Sequence, residues 1–347
     1  MSLPHTSRDA LTTLARQMLE VGGLVPDKAA IVADLLIQTD ALGVNTHGIS
    51  MVPYYLPELE NGNMTSEGSY TVIKDTGATV VWDGNYLPGH WLMQQALELC
   101  LPRARQNGLV ALTIRRSHHI GCLSTLTRIA ADQGLVCMIM TSDPSGRWVA
   151  PYGGVEPTFT PNPWAVGYPA ATHPVLIDTC ASITTVSKVR EHVNTGTPFQ
   201  HPWMLDAQGT ASTDANVVNQ SPKGTILPVG GMDHGHKGFA MALMVEMMTQ
   251  GLSGHGRSCA PTRWGGNVYL QVMDPEAFGG SAPFVTEVEH LNAQCRANKP
   301  AAGFDRVRIP GDRAEAALQR AEKGITLPDE VWQRVSTCAA RLGVALP

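Results

Sequence analysis

Residues 141–185, TSDPSGRWVAPYGGVEPTFTPNPWAVGYPAATHPVLIDTCASITT, contain two short apolar runs, WAVGYP (164–169) and VLID (175–178), and no segment with good helical periodicity. Short apolar runs bounded by Gly, Pro, Ser and Asn suit buried strands. A doubly wound parallel sheet needs a helical crossover after nearly every strand, because parallel neighbours cannot be joined by a tight turn. The stretch therefore predicts an α/β protein with a mixed sheet. Further strands are expected at LVALTI (109–114), LVCMIM (135–140) and NVYLQVMD (267–274).

Helical texture flanks this region on both sides. Leu11, Leu14, Met18 and Val21 recur at helical spacing and stop at Gly22-Gly23, and Pro26 opens a second helix through Ile31, Leu35 and Leu42. A third is expected over HWLMQQALELCLPRARQNG (90–108), kinked or shortened by Pro102. FAMALMVEMMTQGLSG (239–254) and the segments around 283–296, 314–323 and 328–342 follow. The expected organisation is an N-terminal helical segment (1–75) packing with a C-terminal one (276–347) around a central sheet domain (76–275).

The chain has 347 residues, with 25 basic and 30 acidic side chains interspersed to a net charge of −5. Such a balance offers no field to recruit nucleic acid or an anionic membrane, so the expected partner is a small molecule. No stretch approaches the roughly 18 apolar residues of a membrane span. The seven cysteines are widely spaced, without a C-x-x-C pair, which suggests reduced thiols and a cytoplasmic protein.

Four constellations could carry chemistry. Thr46-His47-Gly48 joins a hydroxyl to an imidazole titrating near neutrality. SHHIG (117–121) ends an apolar strand, at the edge where open α/β sheets gather ligands. Only one of His118 and His119 can readily face a given cavity, because neighbours on an extended segment point apart. Adjacent histidines make a poor metal pair, so no metal site is expected. Asp178 closes its strand, where a buried carboxylate needs a donor or a cation, or serves as a turn cap. ILPVGGMDHGHKG (226–238) places glycines and Lys237 before an apolar helix, as an anion cradle would. The G-x-G-x-x-G fingerprint is missing, so a dinucleotide would not bind in Rossmann fashion.

Together these segments resemble the type-2 malate/L-lactate dehydrogenase family over nearly the whole chain. The resemblance rests on GVNTHGISMVPYY (43–55), SHHIG (117–121), PNP (161–163), LIDTCAS (176–182), LDAQGTASTD (205–214), HKGFAMALMVEMMTQGLSG (236–254) and IPGDR (309–313). It implies a non-Rossmann fold with a largely antiparallel central sheet and helical segments from both termini. It implies a homodimer and an oxidoreductase that uses NAD or NADP on a 2-hydroxy or 2-oxo acid. His47 and His119 correspond to the active-site imidazoles, and His118 to a variable neighbour. His47 is taken as the proton donor, His119 as the group that polarises the carbonyl, and Asp178 as the carboxylate that orients an imidazole. Thr46, Met51 and Tyr55 would bind substrate, while Asp178, Thr179, Lys237, Gly311, Asp312 and Arg313 would hold the dinucleotide.

Two departures bear on specificity. Many relatives carry Arg where this chain has Met51, and a thioether cannot clamp a carboxylate. That difference points to the bacterial 2-hydroxycarboxylate dehydrogenase branch and to apolar substrates. Pro161 stands where the family has Gly. Two other readings compete: a cyclic imino acid reductase using the same parts, and a metal-dependent hydrolase built on the twelve histidines.

Overall fold

The computed structural model describes residues 5–347, so the first four residues of the expected 1–75 segment lie outside the described residues. Helices α1 (Arg8–Val21) and α2 (Pro26–Ala41) form the expected hairpin, with Gly23 at φ +98° in the turn. A 3-10 turn, Ile49–Met51, leads into α3 (Val52–Glu60). Strands β1 (Thr71–Asp75) and β2 (Thr79–Asp83) precede α4 (Gly89–Asn107), β3 (Leu109–Ser117), α5 (Leu123–Ala131), β4 (Val136–Ser142), β5 (Pro163–Tyr168) and β6 (Val175–Cys180). Then come α6 (Val186–Thr195), three two-residue strands β7 (Met204–Leu205), β8 (Ala211–Ser212) and β9 (Thr225–Ile226), and α7 (Gly231–Glu246). The chain continues through β10 (Gly266–Met273), α8 (Ser281–Ala297), α9 (Asp312–Ala321) and α10 (Asp329–Leu342).

The main sheet has seven strands in the order β1-β2-β3-β10-β4-β5-β6. Every neighbouring pair is antiparallel except β2 and β3. The mixed, largely antiparallel expectation is met. Strand β10 lies between β3 and β4, so β3, α5 and β4 form a crossover split by a strand from far along the chain. Strand β6 is left as a sheet edge.

Two cores explain why these elements hold together. Leu92, Ala96, Leu97, Cys100 and Ala104 of α4 pack on Val110, Leu112 and Ile114 of β3 and on Val268, Leu270 and Val272 of β10. Each Leu or Ile buried there contributes about 1.5–3 kcal/mol. Helix α4 runs on through Pro102 to Asn107, where a kinked or shortened helix was expected, because this buried stripe continues to Ala104 and offsets the missing N–H. A separate core joins both chain ends: Leu11, Leu14 and Met18 of α1, Val32 and Leu36 of α2, Tyr55 and Leu56 of α3, and Val331 and Val335 of α10. Helix α8 stands apart from that core, with Asn292 its one buried residue.

Candidate active site

The turn after α2 carries the first imidazole. Asp40, buried near the end of α2, accepts a 2.7 Å hydrogen bond from the Ile49 N–H through Oδ2. Burial pushes the Asp40 carboxyl up to about 7, partly offset by that bond. A Cβ at Gly48 would overlap the Asp40 carboxyl group, so the turn needs glycine there for space. Within the turn, Thr46 Oγ1 and His47 Nδ1 lie 2.9 Å apart. Nε2 is the ring nitrogen left for another partner.

The second imidazole comes from the segment between β3 and α5, where His118 and His119 both lie beside Tyr55 and Trp264 but differ in burial. His118 is fully buried, edge-on to Trp264 at 4.7 Å between ring centroids. Its Nε2 is 3.6 Å from Glu58 Oε2, too long for a hydrogen bond, and burial lowers its pKa to about 3. It is a neutral packing residue. His119 is half-buried and lies beside His47, with ring centroids 5.7 Å apart and planes inclined by 26°. Tyr55 Oη is 2.6 Å from His119 Nδ1.

The tautomer of His119 follows from that contact. Burial raises the Tyr55 phenol well above its ordinary pKa, so it keeps its proton. His119 is held well below the usual imidazole range, first by burial and then by the other imidazoles at His47, His90 and His118. A neutral ring bonded to a protonated phenol accepts at Nδ1 and carries its own hydrogen on Nε2. His119 is therefore a neutral N–H donor. The pKa of His47 is lowered too, by burial alone. Both rings are thus pushed toward the neutral form, His119 further than His47, and each has its Nδ1 beside a hydroxyl.

Some expected site residues sit elsewhere. Met51 is only 8% exposed and packs in the core shared by the terminal helices, not on an open substrate wall. Asp178 touches neither imidazole. Its Oδ2 accepts from the Ser124 N–H at 2.8 Å and from Cys122 Sγ at 3.7 Å, which caps the first turn of α5 and corrects the imidazole-orienting placement. Helix α7 is broken at His234 (φ −126°, ψ 18°), so Gly235, Lys237 and Gly238 lie in the first turn after the break and not in an open loop. Gly238 packs so closely on Val229 and Ala181 that a Cβ would meet the Ala181 carbonyl at 2.7 Å, leaving no room for phosphate on that side. Lys237 is exposed on the outer face.

The residues expected to hold a dinucleotide nevertheless border one another along β6. Asp178 and Thr179 are exposed on this edge strand. Just past its end, Ala181 meets the α7 turn that bears Lys237. At its start, the Leu176 N–H donates to the Pro310 carbonyl at 3.1 Å, which seats Gly311-Asp312-Arg313 against it. Asp312 is itself tied to Arg296 at 2.8 Å and His173 at 3.2 Å. Exposed polar groups on an edge strand, with Lys237 and Arg313 at its two ends in no ion pair among the described residues, suit an extended anionic ligand. Trp264 and His90, whose rings lie beside Tyr55, and Asp40, which holds the Ile49 N–H, carry no local sequence signal and were not among the expected site residues.

Two stacked imidazoles, each held by a hydroxyl, beside a sheet that is not a Rossmann fold, make an arrangement able to hold and transfer protons. The chain belongs to the malate/L-lactate dehydrogenase family, whose pattern matches residues 6–336. It is 29% identical over 341 residues to the L-lactate dehydrogenase of Cupriavidus necator, covering 96% of this chain and 97% of the relative. The crystal structure of malate dehydrogenase from Entamoeba histolytica, at 24% identity, shares the fold with a TM-score of 0.92 over the whole of both chains. The Δ1-piperideine-2-carboxylate reductase of Pseudomonas syringae superposes with a TM-score of 0.84 at 28% identity, covering 97% of this chain and 100% of that one.

Proposed function

We propose that the protein is an NAD- or NADP-dependent 2-hydroxycarboxylate dehydrogenase that interconverts small 2-oxo and 2-hydroxy acids. The observation that carries this reading is the His47–His119 pair, stacked with ring centroids 5.7 Å apart, each ring held through Nδ1 by a hydroxyl of Thr46 or Tyr55. When bound, the nicotinamide would supply or accept the hydride. His47 Nε2 donates a proton to the substrate oxygen in reduction and removes it in oxidation, while Thr46 fixes the ring through Nδ1. His119 Nε2–H donates to the same oxygen and stabilises its developing charge. Asp178, Thr179, Lys237 and Gly311-Asp312-Arg313 hold the dinucleotide along β6, and Met51 backs the turn as an apolar wall.

The reading includes a homodimer in the cytoplasm. Leu243, Met244, Met247 and Leu252 expose an apolar stripe on α7 and the turn after it, which a second copy would cover. All seven cysteines are unpaired, as a reducing compartment allows.

The test is a coupled panel: small apolar 2-oxo acids and a cyclic imino acid, each with NADH and NADPH, across a range of pH. The cyclic imine stays in the panel because a reductase of such a substrate shares this fold. With the His47 pKa below the ordinary imidazole value, kcat/KM for reduction should fall as pH rises through that lowered value, and oxidation should rise over the same interval. A folded protein that turns over no 2-oxo acid with either cofactor would sink the proposal. Faster turnover of the imine would transfer it to that substrate class.

Tyr55→Phe tests the tautomer. Without its donor, His119 Nδ1 loses a buried hydrogen bond worth about 1–3 kcal/mol, and the tautomer with a lone pair facing the substrate oxygen becomes accessible. The expected result is a loss of roughly 10- to 100-fold in kcat with KM little changed. A variant with wild-type kcat would show that the phenol does not set the ring.

A further inference from the structure

A groove of about 390 Å3 lies between the end of α2 and the first turns of α9, and Gly43, Arg306, Arg308, Asp312, Arg313 and Arg320 are among the residues lining it. Its two possible neutralising carboxylates are already engaged. Asp305 pairs with Arg308 at 2.9 Å, and Asp312 is held by Arg296 and His173. Among the described residues, Arg306, Arg313 and Arg320 form no ion pair, so three guanidinium groups stand around one concavity with their charge unmet. Clustered like charges repel, and an arrangement of this kind favours an anion between them.

Two chain segments run from the groove toward the imidazoles and β6. Gly43 on its wall is four residues before His47, a reach of at most about 14 Å along extended chain. On the other side, Arg313 continues the Pro310-Gly311 segment seated on β6. A dinucleotide with its nicotinamide end at His47 and His119, lying along β6, would bring its other end here. Dinucleotide sites choose between cofactors at the adenosine ribose, where a free carboxylate binds the 2′-hydroxyl and an arginine accommodates the 2′-phosphate. This groove has the arginines and no free carboxylate.

We propose that the groove binds the 2′-phosphate of the adenosine ribose, so that the protein uses NADPH in preference to NADH. The inference rests on the reading that a dinucleotide lies along β6, and its chemistry, a phosphate held by arginines, would also fit a free anion. The experiment is calorimetric titration of the protein with NADPH, NADH, 2′,5′-ADP, 5′-AMP and inorganic phosphate. The same titrations are run on Arg306→Ala and Arg320→Ala, with melting curves confirming that both variants fold.

Wild type should bind NADPH at least tenfold more tightly than NADH, and 2′,5′-ADP more tightly than 5′-AMP. Each variant should weaken NADPH and 2′,5′-ADP by roughly tenfold, leave NADH within about threefold, and lose the salt sensitivity of the NADPH advantage. Equal affinities for both dinucleotides, unmoved by either variant, would overturn this inference and leave the dehydrogenase reading standing. Failure of both to bind wild type would overturn the dinucleotide reading and this one with it. Inorganic phosphate binding as tightly as 2′,5′-ADP would mark a free-anion site and overturn the cofactor assignment.

Discussion

His47→Gln is expected to lower turnover of a 2-oxo acid by roughly 10²–10⁴-fold, the usual worth of a positioned general acid, while dinucleotide affinity stays near wild type. Glutamine can still donate a hydrogen bond from this turn but cannot deliver a proton. The surrounding anchors should survive, because the Ile49–Asp40 bond and the space at Gly48 do not involve the His47 ring. His119→Gln should cost less, since a neutral N–H donor is being exchanged for another. The ratio of the two losses is the useful quantity. If His47→Gln stays within a few-fold of wild type and His119→Gln does not, the proton comes from His119, and the argument from its suppressed basicity fails.

The strands that proved legible are the apolar ones. LVALTI, LVCMIM, WAVGYP, VLID and NVYLQVMD all fall in β-strands, because short apolar runs bounded by turn residues suit a sheet whether central, as in β10, or at the edge, as in β6. Strand β1 is exposed along its whole length, and β7, β8 and β9 are two residues each, so neither pattern nor length could announce them. The insertion of β10 between β3 and β4 is a fact of packing that no local window contains. The regular part of helix α7 begins at the break at His234, several residues before the apolar run FAMALM that announced it, because Gly235 and Gly238 were read as loop formers. Their missing side chains instead let the helix press against Tyr152 and Ala181.

The site was legible as residues and not as contacts. Thr46, His47, Tyr55 and His119 do come together, yet the partner that sets the His119 ring is Tyr55, not the carboxylate expected at Asp178. A carboxylate at a strand end has two satisfying fates, a cation or a helix N-terminus, and sequence alone does not rank them. Here the first turn of α5 was nearer. Met51 shows the same limit, since one turn of 3-10 helix decides whether a side chain meets the substrate or the core.

Gly121→Ala is expected to reduce both stability and activity, through the segment that holds the second imidazole. Gly121 lies two residues after His119 with φ +76°, a conformation that costs an L side chain about 1–2 kcal/mol. A Cβ there would also overlap Nε2 of His90, a buried side chain with no slack around it. Forcing a methyl group into such packing costs about 1–3 kcal/mol more. The segment cannot easily retreat, because Gly89, at the start of α4, already lies so close that a Cβ on it would strike the carbonyls of His118 and His119. Relief must come from moving His119, which would loosen its bond to Tyr55. The melting temperature should therefore fall by several degrees, and kcat should fall further than the unfolded fraction accounts for. Adding His90→Ala should recover part of the stability lost to overlap and none lost to backbone strain. If the single variant melts and turns over like wild type, the close packing of the His118–Gly121 segment is not what positions the imidazole.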